Sequence, residues 1–145
     1  MANPMEVDVV APDGKVWEGD AVSVIVRTTE GDIGILADHE PVMAAMVPCA
    51  AEVVTTDGQR VVLAVGGGFI SVYHNQVSLL SDSATMADTI SPEAAERELA
   101  GMKPRMEAGE LGRQETRRYH QLEAQVKAGD RYRQLHGNLG GTPGE

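Results

Sequence analysis

The chain has 145 residues, 22 of them acidic and 12 basic, with a formal net charge of −10 and a single cysteine. That length suits one ordinary core, or a smaller core with an appendage. No apolar run reaches the roughly 18 residues a membrane-spanning helix needs, and the opening MANPMEVDVV has neither the basic region nor the long apolar stretch of a secretion signal. Cys49 alone allows no internal disulfide and suits a reducing compartment. Its neighbours, VPCAAEVV, read as the surroundings of a small buried apolar residue.

Charge is divided along the chain. Residues 1–90 carry three basic residues (Lys15, Arg27, Arg60) against thirteen acidic ones, whereas residues 91–145 carry nine of each. The acidic part repels phosphate backbones and anionic lipid heads, so nucleic acid and direct lipid binding are not expected there. Different electrostatics in the two regions suggest two jobs.

From Met5 to Leu80 the pattern is one of strands and turns. EVDVVA is followed by the turn PDGK and then by AVSVIVRT, in which Val22, Val24 and Val26 alternate with Ser23, Ile25 and Arg27. EVVTT and QRVVLAV are joined through the hairpin signal Asp57-Gly58, and FISVY and QVSLLS through a short turn at HNQ. Short strands with frequent turns predict an all-β sandwich or barrel, and strands apolar on both faces are expected where two sheets meet. After Asp88 the strand pattern stops. Ser91-Pro92-Glu93 reads as a helix start, with Ser as N-cap and Pro at the first helical position. A second helix is predicted from about Arg113 to Leu135, with Tyr119, Leu122 and Val126 as a narrow apolar stripe. Gly109 and Gly112 turn the chain between the two, giving a helical hairpin. Gly101 and Pro104 weaken the first helix, and Pro104 is expected to kink or end it. The organisation expected is therefore a β-sandwich over 1–88, a helical hairpin over 89–136 and a disordered Gly/Pro-rich tail over 137–145. The hairpin needs a surface to lie on.

Three groups of residues invite a chemical reading. Asp38, His39 and Glu40 are consecutive, so their side chains point in different directions and converge poorly on one ion; no G-x-S-x-G elbow supplies a nucleophile. The alternatives are a plain connecting loop stiffened by Pro41 and a contact loop. The Gly66-Gly67-Gly68 run lies between strand segments rather than before a helix, so a bend or close backbone approach fits better than a phosphate loop. Arg113, Arg117, Arg118, Lys127, Arg131 and Arg133 are interleaved with acids on the second helix. They form either a solvated face or a surface for an acidic partner.

Two stretches carry a resemblance. EGDIGILADHEPVMAAMVP resembles the signature loop of the epsilon subunits of bacterial F-type (F1Fo) ATP synthases, and AVGGGFISVYHNQVSLLSDSA resembles that family's second signature. The resemblance covers residues 3 to about 135, by organisation only in the helices. It implies a non-catalytic subunit without cofactor or metal, in the central stalk of a proton-translocating enzyme, peripheral on the cytoplasmic face of the cell membrane. Implied partners are the gamma subunit, the c subunits of the rotor ring and, through the C-terminal helices, the alpha/beta catalytic head. Asp32 and His39 match positions facing the rotor ring. Gly66, Gly67, Gly68 and Phe69 fall where gamma is expected to pack. Arg117, Arg118, Arg131 and Arg133 are the candidates for meeting the catalytic head and inhibiting ATP hydrolysis. The sequence departs from the family at Asp38 and Glu40, which make the loop more acidic, and at Ile90–Ala95, which lacks the Asp and Arg of the family's ATP-binding motif; no ATP site is expected. A free-standing β-sandwich adaptor with a mobile helical tail would share the layout but not the two signature stretches.

Overall fold

The computed structural model describes residues 4–137. Nine strands precede two helices: β1 (Met5–Ala11), β2 (Gly14–Thr28), β3 (Gly31–Leu36), β4 (Val42–Met46), β5 (Cys49–Thr55), β6 (Arg60–Val65), β7 (Gly68–Tyr73), β8 (Gln76–Ser81), β9 (Ala84–Met86), α1 (Pro92–Glu107) and α2 (Arg113–Tyr132). A 3₁₀ turn at Ala87–Thr89 leads into α1, and a π-helical turn at Arg133–Gly137 follows α2. The tail expected to be disordered lies, from residue 138 onward, outside the described residues.

Strand β2 organises the sandwich. Its first half pairs antiparallel with β1 and its second half with β3, while Ala21–Ile25 pair with β5 on the opposite edge. Strand β1 continues in parallel to β8, then β7 and β4, and β4 returns to β2 at Thr28↔Met46. Strands β5, β6 and β9 extend the other layer. The two layers enclose a core that includes Met5, Val9, Val24, Ile35, Leu63, Ile70 and Leu79, all essentially without solvent contact.

The alternation expected along AVSVIVRT breaks at one point. Val24 and Val26 point inward, but Val22 is 47% exposed. The pairing of β2 with β5 slips between Ala21 and Ser23, and the extra residue reverses the facing of Val22. The bulge also lets one 15-residue strand serve both layers. Another expectation needs a different reason. Strand β6 is apolar on both faces because Leu63 and Val65 enter the sandwich core while Val62 and Ala64 lie under α2. The second apolar face meets a helix, not a second sheet.

The helices start as their sequence dictates. Ser91 Oγ accepts the Ala94 N–H at 3.3 Å, and Pro92 opens α1. Pro104 does not end that helix, which runs on to Glu107. It sits one turn from the C-terminus, on a mostly exposed stretch where the chain is under little packing constraint. Gly109, at φ 71, then breaks it.

Glycine is required at one place above others. Gly68 has φ 126, and a Cβ there would lie 2.0 Å from the Leu80 carbonyl oxygen. Backbone of β8 occupies the space of the missing side chain. Gly68→Ala is therefore expected to destabilise the sandwich by about 3 kcal/mol or more, read as a lower urea midpoint with an unchanged slope. Gly101→Ala, with open space around it, is expected to stabilise α1 by up to about 1 kcal/mol.

Candidate functional site

Three surfaces carry the residues singled out in the sequence. The first is the tip formed by the β3–β4 loop and the β7–β8 turn. Asp38 adopts φ 68, and its N–H donates to Asn75 Oδ1 at 2.6 Å while Asn75 Nδ2 donates to Asp38 Oδ1 at 3.1 Å. His39 is half-buried between the exposed Asp38 and Glu40. Its Nδ1 lies 2.7 Å from the Glu40 carbonyl oxygen. A carbonyl only accepts, so Nδ1 carries a proton in this bond, which leaves Nε2 unused by it. Among the described residues no three His, Cys, Asp or Glu side chains gather so as to hold a metal ion. Asp32 is not at this tip. It is the second residue of β3, at the far end of that strand, exposed and 3.1 Å from Arg27 Nε. Asp32 thus lies within β3 and His39 in the loop beyond its end, with Asp32 roughly 13 Å along the strand from its last residue, Leu36.

The second surface is the outer face of β4, β7 and β8. Register aligns Ala45, Phe69 and Leu80 across the three strands, with Met43 one step along. Met43 is 69% exposed, Phe69 52% and Leu80 47%, an apolar row facing water. Of Gly66, Gly67, Gly68 and Phe69, only Phe69 presents a side chain there. Gly66 and Gly67 are buried: the Gly66 N–H donates to the Ser83 carbonyl oxygen at 2.9 Å, and Ser81 Oγ donates to the Gly67 carbonyl oxygen at 2.6 Å. The glycines fix the bend that delivers Phe69 to the outer face.

The third surface is the helical hairpin, which lies folded against the other layer. Helix α2 packs on β5 and β6 through Ala124 and Ala128, with Ala50, Val62, Ala64, Ala87, Tyr132 and Leu135 around them. This small-residue stripe lets the helix backbone approach the sheet. Tyr119 and Leu122 of the expected stripe are buried, and Val126 is half-buried. Gly129 marks a close approach between the helices: a Cβ there would lie 2.5 Å from Pro92 Cγ.

Ion pairs fasten the hairpin at both levels. Arg118 makes a two-pronged bond to Glu98 at 2.8 Å for each contact, and Arg105 another to Glu115 at 2.8 and 2.9 Å, both joining α1 to α2; Arg133, in the turn after α2, pairs with Glu93 of α1. One carboxylate reaches from the sandwich. Glu52 on β5, its side chain only 9% exposed, is held by Arg131 at 2.7 and 3.2 Å and by Arg60 at 2.6 Å. Hydrogen bonding from Arg131 lowers the Glu52 carboxyl from its ordinary value of 4.5, against burial, which acts to raise it, and with Arg60 assisting. Arg117 is exposed and has no ion-pair partner among the described residues. Sequence reasoning missed Glu52, Asn75 and the Ala124/Ala128/Gly129 stripe. A lone acid inside the apolar run CAAEVV was the available sign of the first.

Residues 4–87 match the family model of the ATP synthase delta/epsilon chain β-sandwich domain. The ATP synthase epsilon chain of Cutibacterium acnes is 41% identical over 133 residues, spanning 86% of this chain and 91% of the relative. The chain belongs to the ATP synthase epsilon-chain family. The epsilon chain of Streptomyces avermitilis is 45% identical over 103 residues, 71% of this chain and 83% of that one. The fold is shared with a chain in a structure of the Euglena gracilis mitochondrial ATP synthase (OSCP, F1 and c-ring), with a TM-score of 0.67 at 20% identity over 92% of this chain and 82% of that one. Membership makes this a non-catalytic, peripheral subunit of the central stalk, and no helix among the described residues is long and apolar enough to cross a membrane.

Three outcomes follow for the docked hairpin. Glu52→Gln removes the charge that Arg131 and Arg60 share and is expected to weaken docking by about 1–2 kcal/mol, a roughly five- to thirtyfold rise in the undocked fraction. Hydrogen exchange in α2 measures it. Because the folded-state pKa of Glu52 is depressed, its contribution is present above the ordinary carboxylate value of 4.5 and is lost as pH falls from there through the lowered value; docking in the natural chain should hold at neutral pH and weaken progressively in that acid range. Gly129→Ala favours an isolated helix by about 1 kcal/mol yet collides with Pro92. It should therefore open the hairpin without unwinding α2, seen as faster exchange at α1 with unchanged helical circular dichroism.

Proposed function

We propose that residues 1–88 couple the gamma subunit to the c subunits of the rotor ring at the cytoplasmic face of the membrane, and that residues 89–136 act as a brake on ATP hydrolysis by the alpha/beta head. The observation that carries this reading is an asymmetry between the two layers. The outer face of β5 and β6 is covered by α2, whereas the row Met43, Phe69 and Leu80 on the other layer has nothing over it. A contiguous exposed apolar row on a small chain marks a protein interface, and Phe69 at its centre is the anchor for gamma, with Gly66, Gly67 and Gly68 shaping the bend behind it. His39 at the tip and Asp32 at the far end of β3 contact the rotor ring. The acids beside His39 favour a basic ring loop.

The brake follows from where the arginines are. Arg117 is accessible in the docked hairpin, Arg131 is released when α2 leaves Glu52, and Arg118 and Arg133 are released only when α1 and α2 part. Full engagement of an acidic segment of the head therefore takes two steps, undocking and then opening. Each step exchanges intramolecular ion pairs for intermolecular ones, so the head must bind the opened form more tightly than the sandwich binds the closed one.

Titrating the full chain into a catalytic head that carries gamma but lacks its own epsilon subunit tests both parts. Tight one-to-one binding with falling hydrolysis is expected, and Phe69→Ala should weaken binding by about tenfold or more. Absence of binding would overturn the coupling role. Unchanged hydrolysis on deleting residues 91–145 would remove the brake and leave the coupling role standing.

A further inference from the structure

The rotor-facing tip is built from two loops that are 37 residues apart in sequence, one in each of the two signature stretches. All three non-glycine residues with positive φ among the described residues lie here: Asp38 at 68°, His74 at 49° and Asn75 at 61°. Consecutive positive values at His74 and Asn75 make the tight two-residue turn that matches strand twist, with Tyr73 paired to Gln76 across it. Asn75 is a three-way anchor. Its carbonyl oxygen accepts the Glu6 N–H at 2.8 Å, tying the turn to β1. Its side-chain oxygen accepts the Asp38 N–H at 2.6 Å, and its amide donates back to the Asp38 carboxylate at 3.1 Å.

That reciprocal pair fixes the β3–β4 loop one residue before His39. Without it the loop has one short backbone tie, the His39 N–H to the Leu36 carbonyl oxygen at 3.1 Å. The two loops enclose a cleft of about 370 Å³ lined by Asp38, His39, Glu40, Pro41, His74 and Asn75. The cleft therefore offers two imidazoles and two carboxylates to one incoming segment. Tyr73, 59% exposed, packs edge-on against His74 with ring centroids 4.1 Å apart. This fixes the orientation of that second imidazole.

We infer that the β7–β8 turn is a working half of the rotor-ring contact: Asn75 is the positioning residue for His39, and His74 touches the same basic, polar ring loop. This rests on the rotor-ring reading of His39. A ring loop carrying Lys or Arg suits the cleft, because the Asp38 and Glu40 carboxylates supply negative charge and acceptor oxygens beside the His39 and His74 rings.

The test uses the catalytic head with gamma and full-length variants of this chain, binding to rotor rings held in lipid nanodiscs. Asn75→Ala breaks two hydrogen bonds, one to a carboxylate, and is expected to weaken ring binding about tenfold while leaving binding to gamma unchanged. The paired exchange Asp38→Asn with Asn75→Asp keeps charge and lets the partners swap donor and acceptor roles; it should restore binding to within about twofold. His74→Ala should weaken binding several-fold with the His39 loop still protected from hydrogen exchange. A weakened Asn75→Ala that the paired exchange fails to rescue overturns the positioning role. So does an unaffected Asn75→Ala alongside a weakened His39→Ala. An unaffected His74→Ala overturns the contact, and an unaffected His39→Ala shows that the rotor-ring reading itself has failed.

Discussion

Strand β2 runs through both layers of the sandwich, and the slip between Ala21 and Ser23 makes that possible. A strand without the extra residue would keep one facing along its length and bury one set of side chains in one sheet. The bulge lets the first half lie beside β1 and the second beside β3 on the same edge, with β5 opposite. Each surface described above depends on it. The tip hangs from β3, the exposed apolar row from the layer that β1 joins, and the seat of the hairpin from β5. A rigid strand common to all three suits a subunit that transmits torque, since deformation at one contact reaches the others through a single backbone.

The hairpin is attached by a different physics. Its seat is made of Ala50, Val62, Ala64, Ala124 and Ala128, small side chains that bury little area each. Among the described residues only Glu52 ties it electrostatically to the sandwich through side chains, with Lys127 adding a 3.3 Å bond to the Pro48 carbonyl oxygen. The stronger pairings, Arg118 with Glu98 and Arg105 with Glu115, lie within the hairpin and are largely exposed, so each contributes little. Such an element stays docked without being locked. A ligand must supply about 5.5 kcal/mol of differential binding to carry a two-state element from 1:99 to 99:1. A seat of alanines and one half-shielded arginine keeps the opposing term within reach of a protein interface.

Much of this was legible in the sequence because the local chemistry is unambiguous. Ser91 and Pro92 start α1 as their types require, Asp57-Gly58 turns β5 into β6, and the two signature stretches lie within the sandwich. The failures come from tertiary effects. Val22 follows the alternation in sequence and violates it in space, because a bulge leaves no composition signal when neither flank is glycine. Pro104, expected to kink or end α1, does not end it, because a proline one turn from a helix end costs less than one in its middle. The docking face of α2 was invisible to a count of large apolar residues, since Ala124, Ala128 and Gly129 serve by being small. Of the candidate site residues, His39 could be found from its signature, whereas Asn75, which holds its loop, is 37 residues away in the second stretch, and no sequence pattern shows that the two loops meet.

Electrostatics connects the two parts. The sandwich carries nearly all the excess negative charge of the chain, and an acidic body attracts the basic face of its own hairpin over distances of a Debye length, roughly 8 Å at physiological salt. The field is unspecific; Glu52 makes it specific by placing one nearly buried carboxylate where only Arg60 and an approaching Arg131 can satisfy it. Without Arg131, Arg60 still neutralises Glu52, so the undocked sandwich does not carry an orphaned buried charge. That second arginine lowers the cost of release and lets one acid serve as a reversible seat. A carboxylate facing a single arginine would have bound the helix more tightly and opposed its departure, because its desolvation would be left uncompensated.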